Sequence, residues 1–444
     1  MTSLSNSSEP GLLSMLPKWI LYSFLGFLLW FILHFIPREN FTFVLIGIGS
    51  AFFVFGILLL KFRNLGIREI LIVSVLLRLC VLDAPVQWSD DIYRFFWDGL
   101  KVRNFESPYQ LAPMHDDRKS EWEKLYNEMN SISFQSPYPP VLQYVWAMTA
   151  NRTGDPTLLR IIWITADLGC IYLLYLLLTI MKRPGWLAIL YAFNPLVIIE
   201  GIGQLHPEIL QLFFVLWALH AMQVEKYFGM GIATGLAICT KLWPILLLPL
   251  LFTRLHRADW IRVCSVALGV CVILYTPLLR PEHFAGMFAS FQLYYQSFEF
   301  NASLYYVVKC FYNWWSPESG GLVVSRLLGL VWLVYLLIVV IRKQITIQKA
   351  LYLVFMTLLL TSAVVHPWYL IPVLAYGILA DRYAIVFWTA LIFLSYSHYQ
   401  DGSYQEQSVW ITIEYVLFGI VLIAEWMLRK DDNANLLTNE IVTE

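Results

Sequence analysis

Long apolar runs, broken at nearly regular intervals by short polar or basic stretches, dominate this chain. A helix that crosses a bilayer needs about 20 apolar residues, fewer where helices are short or broken. By that measure apolar segments fall near residues 19–36, 42–60, 68–86, 157–181, 185–200, 207–222 and 228–240. Others follow near 242–252, 260–279, 321–341, 349–365, 368–380, 383–398 and 409–428. Pro195, Pro244 and Pro372 interrupt apolar runs. Broken helices in a bundle usually flank a cavity, because their freed backbone groups need water or protein partners. The pattern predicts an all-α polytopic membrane protein with about 12–14 transmembrane helices, some short or broken.

Lysines and arginines recur after alternate segments. They are Lys61, Arg63 and Arg68, then Lys182 and Arg183, Arg254 and Arg257, Arg342 and Lys343, Arg382, and finally Arg429 and Lys430. Cytoplasmic loops carry the excess of basic residues, so this side reads as cytoplasmic, with both termini inside. Segments 87–138 and 280–320 then lie outside, with the short stretches around His206, His366 and Asp401. The assignment needs 228–252 to be two short helices, since one kinked helix would invert everything downstream. Met1 to Pro17 is polar and lacks a cationic stretch leading to a small-residue cleavage site, so the first apolar run reads as a retained span.

Composition narrows the class. The chain is 59% hydrophobic and only 14% charged, against about 25% charge in a soluble domain. No loop is long enough to fold separately. A net charge of −1 leaves no basic stripe to neutralise phosphates, which argues against a nucleic-acid partner. The six cysteines have no paired spacing and read as free thiols packed like small hydrophobes. Asn301-Ala302-Ser303 fits a glycosylation acceptor pattern and is read as chance in a bacterial membrane protein.

The first outer segment differs from the rest of the chain. It opens Ser89-Asp90-Asp91-Ile92-Tyr93-Arg94-Phe95-Phe96-Trp97-Asp98-Gly99 directly after an apolar span. As a helix, 100° per residue puts Asp91, Arg94 and Asp98 within about 60° of one another. Phe96 then points toward lipid and Gly99 offers a terminator. The stretch reads as an amphipathic helix at the membrane surface, with its acids and one cation on the wet face. It is either an ion-paired interfacial anchor or a source of a general base or metal ligand. Two adjacent acids at the rim of a span are costly if they serve packing alone. Further on come Ser107-Pro108-Tyr109, a charged stretch from His115 to Glu128, and Ser136-Pro137-Tyr138-Pro139-Pro140.

These motifs together resemble the first outer loop of the GT-C glycosyltransferases, and most closely the bacterial polyprenyl-phosphate-dependent mannosyltransferase-like branch. Weaker matches follow in the same order. They are Asn194-Pro195-Leu196, Gly203-Gln204-Leu205-His206-Pro207-Glu208, Lys241-Leu242-Trp243-Pro244 and His366-Pro367-Trp368-Tyr369-Leu370. The resemblance covers the chain from about residue 68 onward. It implies a GT-C-like bundle, an active site on the extracytoplasmic side of a bacterial inner membrane, and a lipid-linked sugar donor. It also implies an acid in the first outer loop as base: Asp91 by position, with Asp90 as its companion. The organisation it suggests is a tail and two extra helices over 1–67, and a catalytic membrane module over 68–280 that includes outer loop 87–138. An outer loop with C-terminal helices that could bind acceptor occupies 281–428, and a cytoplasmic tail 429–444.

The expected reaction moves a hexose, read as mannose, from polyprenyl phosphate to a glycan, lipid or other acceptor. The leaving phosphate needs cations in place, and Arg94, Lys241 and His366 are the candidates. Trp97, Asp98, Tyr138, His206, Glu208, Trp368 and Tyr369 are candidate sugar or acceptor ligands, the aromatics by stacking on pyranose C–H bonds. Should Mg²⁺ or Mn²⁺ take part, Asp90, Asp91, His206 and Glu208 are the oxygen and nitrogen donors available. The competing class is a transporter or flippase of a lipid-linked or small polar solute. That would concentrate ionisable groups at the midplane and often show internal repeats, whereas these acids crowd an outer loop.

Overall fold

The computed structural model describes residues 17–280, 283, 298–316, 320–402 and 404–443, with the backbone alone at 401 and 431–443. Most of the expected acceptor segment 281–320, and nearly all of the N-terminal tail, lie outside the described residues. Each apolar segment named above coincides with helix. Among the described residues no strand forms, and the one extended pairing is a parallel bridge between Phe300 and Val364.

Helices α1 (Lys18–Phe35) and α2 (Phe41–Lys61) form a hairpin beside α3 (Ile67–Leu79). The outer segment follows with α4 (Asp91–Arg103), α5 (Glu123–Glu128) and α6 (Pro140–Thr149). Next come α7 (Thr157–Ile180), the short α8 (Ile189–Ala192) with a π-helical turn over Val197–Gly203, α9 (Glu208–Gln223) and α10 (Tyr227–Ile238). A 3₁₀ turn at Trp243–Leu246 leads into α11 (Leu247–Phe252), then α12 (Arg257–Tyr275), α13 (Leu304–Trp315), α14 (Gly321–Ile341) and α15 (Ile347–Thr361). The chain closes with α16 (Leu370–Leu379), α17 (Ala384–Leu391), a 3₁₀ stretch over Ile392–Gly402, and α18 (Ser408–Thr443).

Among the described residues, six helices are long and apolar enough to cross a membrane. The broken pair Gly185–Ala192 and Val197–Gly203, bent by 62°, makes a seventh if it is one span. Five shorter apolar helices complete the bundle. Outward faces carry exposed Phe27, Phe31, Leu330, Leu337, Leu268 and Ile273, a surface that suits lipid and not water. The protein is an all-α, multi-pass membrane protein.

The bundle has two unlike ends. At one, Lys18 pairs with Glu69 at 3.1 Å, and Asp381 binds Arg183 at 2.9 Å and Arg429 at 3.0 Å. Arg254 caps open carbonyls there, donating to Ile345 O at 3.0 Å and Val339 O at 3.2 Å. The basic loops that alternate in sequence thus gather at a single end. The break between Ile238 and Trp243 makes 228–252 two short helices, as the loop pattern required. Among the described residues, the stretches around Asp91, His206 and His366 come together away from those basic loops.

The interior is tied by arginines bonded to broken backbone. Arg160 donates to Leu82 O at 2.7 Å, Ile202 O at 3.2 Å and Gly203 O at 3.0 Å. It satisfies carbonyls that the π-helical turn leaves open. Arg78 pairs with Asp167 at 2.8 Å, and Tyr191 donates to the other carboxylate oxygen of Asp167 at 2.9 Å.

Helix α4 departs from its expected posture. Phe96 is fully buried, as are Arg94, Trp97 and Asp98, so α4 does not lie open on a membrane surface. It packs against α6, with Phe95 stacked on Trp146 at 4.3 Å. Gly99 does not end the helix, which continues to Arg103. A Cβ there would strike the Trp146 carbonyl, so the glycine permits close helix approach. The amphipathic period is real, but the folded outer loop covers Arg94 and Asp98 of its polar stripe.

Candidate active site

Three chain breaks bring the site together. The first is the turn into α4. Trp88 is buried and donates its indole N–H to Ile36 O at 2.8 Å, while its backbone N–H donates to Gln204 Oε1 at 2.9 Å. This fixes the backbone just before Asp90 and Asp91. Asp90 accepts from Arg38 Nη2 at 3.0 Å, and Arg38 Nη1 donates to Trp88 O at 3.0 Å. Asp91 is the first residue of α4, where unpaired N–H groups favour a carboxylate. It is enclosed by protein on most sides yet keeps part of its surface open. Burial pushes its carboxyl above the usual aspartate range, and the Asp90 charge adds to that. A hydrogen bond from Asn130 and the fields of Lys241 and Arg38 oppose it.

The second break joins α8 to α9. Leu205 sits at φ 64°, a left-handed conformation that is uncommon for leucine and turns the chain sharply ahead of His206. His206 Nε2 lies 3.5 Å from Glu200 Oε2, and Glu200 Oε1 accepts from Tyr396 at 2.6 Å. Glu208 opens α9 and is ion-paired with Lys241. The third break is the one between α10 and α11 that carries Lys241. Its ammonium lies 5.1 Å from the Tyr369 ring centroid. Asp91 lies within electrostatic reach of both Glu208 and Lys241.

A column of rings backs the site. His206 stacks on Trp368 at 3.5 Å, Trp368 on His366 at 4.3 Å, and His366 on Phe300 at 4.7 Å. Trp368 is sandwiched between two imidazoles, so it offers a sugar an edge and not the open face expected of a stacking platform. Glu208 Oε2, His206 Nε2 and His366 Nδ1 are buried with no hydrogen-bond partner among the described residues. Buried polar atoms left this way are uncommon, and here one belongs to the lysine–glutamate pair and two lie beside it.

The structure therefore assembles Asp90, Asp91, His206, Glu208, Lys241, His366, Trp368 and Tyr369. It gives Arg94, Trp97, Asp98 and Tyr138 other partners. Arg94 pairs with Asp98 at 2.9 Å and donates to Ser131 O and Phe134 O, which clasps the outer loop instead of facing a phosphate. Trp97 packs edge-on against Trp122 at 5.0 Å. Gln143 donates to Asp98 Oδ2 at 3.4 Å, and Tyr138 wedges against Phe95 and Trp146. Among the described residues no three His, Cys, Asp or Glu side chains converge as a metal-ligand set. The quartet Asp90, Asp91, His206 and Glu208 is split instead among Arg38, Asn130, Glu200 and Lys241.

Sequence reading missed Arg38, Glu200, Asn130 and Tyr396. Arg38 carried a usable signal: it is a cation on the side assigned as outside, directly after an apolar run. Glu200 carried another, as a lone acid inside Leu196–Ile202. Asn301, the potential glycosylation acceptor, is buried and donates to both carboxylate oxygens of Glu414, at 3.2 and 3.1 Å.

No curated protein matches the chain. Residues 27–257 match the family described as Alpha-(1->6)-mannopyranosyltransferase, N-terminal domain. The matched stretch starts inside α1 and takes in α2 and Arg38. It also holds Asp90, Asp91, His206, Glu208 and Lys241. Spanning just over half of the 444 residues, the match places the chain in the alpha-(1->6)-mannopyranosyltransferase family, as a membrane-embedded mannosyltransferase.

Proposed function

We propose that the protein moves mannose from a polyprenyl-phosphate donor to an extracytoplasmic glycan, lipid or other acceptor, with Asp91 as general base. The acceptor hydroxyl oxygen attacks the anomeric carbon as the bond from that carbon to the phosphate oxygen breaks. The hydroxyl proton passes to Asp91, and polyprenyl phosphate leaves with the bonding pair. A carboxyl raised by burial holds that proton better than a free aspartate would. Lys241, backed by Glu208, supplies a cation for the charge that grows on the phosphate. His206, His366 and the open oxygen of Glu208 bind sugar or acceptor hydroxyls.

The observation that carries this reading is an ionisable crevice joined to an apolar one. A cavity of about 190 Å³ lies between α14 and α15, lined by Trp332, Leu358 and Val364 among others. It shares Trp243 and Tyr369 with the crevice that holds Glu208 and Lys241. A polyprenyl tail suits the first and its phosphate the second. The gathering of basic loops at the opposite end supports placing this end on the extracytoplasmic face of a bacterial inner membrane, with both termini in the cytoplasm. Asp91→Asn and Asp90→Asn, singly and together, test the assignment in membranes given a polyprenyl-phosphate mannose. Loss of transfer in Asp91→Asn is expected; undiminished transfer by that variant would overturn Asp91 as base, and undiminished transfer by all three would remove both acids from the reaction.

A further inference from the structure

The acids at the start of α4 are not equivalent, and the residue that divides them comes from the α1–α2 turn. Arg38 is buried, and its guanidinium meets four groups. Nη2 donates to Asp90 Oδ2 at 3.0 Å, Nη1 to Trp88 O at 3.0 Å and Nε to Glu39 Oε1 at 3.3 Å. Its Cζ lies 4.8 Å from the Tyr399 ring centroid. The planar fork thus spans three chain segments: the α1–α2 turn, the lead-in to α4, and the 3₁₀ stretch before α18. A lysine offers one point charge and cannot satisfy the acid and the carbonyl with the same fixed geometry.

We propose that Arg38 is a positioning residue. It takes Asp90 into a fixed ion pair and holds the Trp88–Asp90 backbone, so that Asp91 alone is left to receive the acceptor proton. The inference rests on Asp91 being the base. It gives the helix hairpin α1–α2 a part in catalysis without contact with the reacting atoms. A base displaced by a fraction of an ångström loses rate while the donor still binds, so the role is visible in kcat and not in donor KM.

The test is steady-state mannosyl transfer from a polyprenyl-phosphate mannose in membranes. It compares Arg38→Gln, Arg38→Lys, Asp90→Asn, the double Arg38→Gln/Asp90→Asn, and Asp91→Asn. We expect Arg38→Gln to lower kcat about tenfold with donor KM changed by less than about twofold, and Arg38→Lys to recover part of the loss. The double variant should fall no further than Arg38→Gln alone, because both changes break one interaction. Wild-type kcat in Arg38→Gln, or losses that multiply in the double, would overturn the proposal. If Arg38→Gln does not accumulate, Asp90→Asn breaks the same pair from the other side. It must then show the kcat loss, and a wild-type kcat there is equally fatal. Full activity in Asp91→Asn removes the base assignment itself. An inactive Asp91→Asn beside a fully active Arg38→Gln removes only the positioning role.

Discussion

Two buried charge pairs share this bundle and have opposite characters. Asp167, deep in α7, has both carboxylate oxygens engaged, one by Arg78 and one by Tyr191. Glu208, at the start of α9, has one oxygen on Lys241 and the other with no hydrogen-bond partner among the described residues, as have His206 Nε2 and His366 Nδ1 beside it. The first pair is closed on all sides by helix and serves the fold, since charges inside a bundle must find partners. The second sits where three helices break, with polar atoms left over. An acid with both oxygens engaged stabilises; one that keeps an oxygen open is available for substrate.

The comparison can be broken from either side. The largest effect should come from the acid within electrostatic reach of the open pair. Asp91→Asn is expected to lower kcat by about 10²–10⁴, the usual worth of a general base, with thermal unfolding in detergent unchanged. Next is the closed pair. Arg78→Met leaves Asp167 buried and uncompensated, which costs about 3–5 kcal/mol. It should depress the unfolding temperature of the solubilised protein while the molecules that remain folded keep their kcat. Adding Asp167→Leu should return part of that stability. If Arg78→Met instead abolished turnover at unchanged stability, the division between the two pairs would be wrong.

A smaller change should follow Lys241→Met. Losing a charged hydrogen bond to the phosphate on which charge grows lowers kcat/KM about tenfold, measured in the same membranes. Smallest is the pH response of the wild-type rate. Because burial raises the Asp91 carboxyl, the base is protonated and the rate lost as pH falls through that raised value. The acid limb of kcat should therefore lie above the pH at which a free aspartate titrates, near 4. A limb at or below that value would place the titration on another group.

Sequence legibility differed in the same way between the two regions. The helices were readable because lipid demands continuous apolar surface and internally satisfied backbone. The breaks were readable because proline and lone charges interrupt that surface. Asp90, Asp91, His206, Glu208, Lys241 and His366 stood out as polar groups at those breaks, and the fold brings them to one end. What went astray was direction. The 100° rotation on α4 put Asp91, Arg94 and Asp98 on one stripe, but it could not say that a folded loop covers Arg94 and Asp98. The aromatic motif at Trp368 read as an open face because its two imidazole neighbours are 162 and 2 residues away in the chain.

The sequence by itself determined that this chain lives in a bilayer, which ends of its helices are basic, and which acids stand at a rim. Solvent sets those properties residue by residue, so local pattern suffices. Only the tertiary structure decided which charges are consumed by the fold and which are left over. It matched Arg38 to Asp90 across 52 positions, Arg78 to Asp167 across 89 and Lys241 to Glu208 across 33. Pairing of that kind depends on where helices pack, and a single chain read in order carries no record of it.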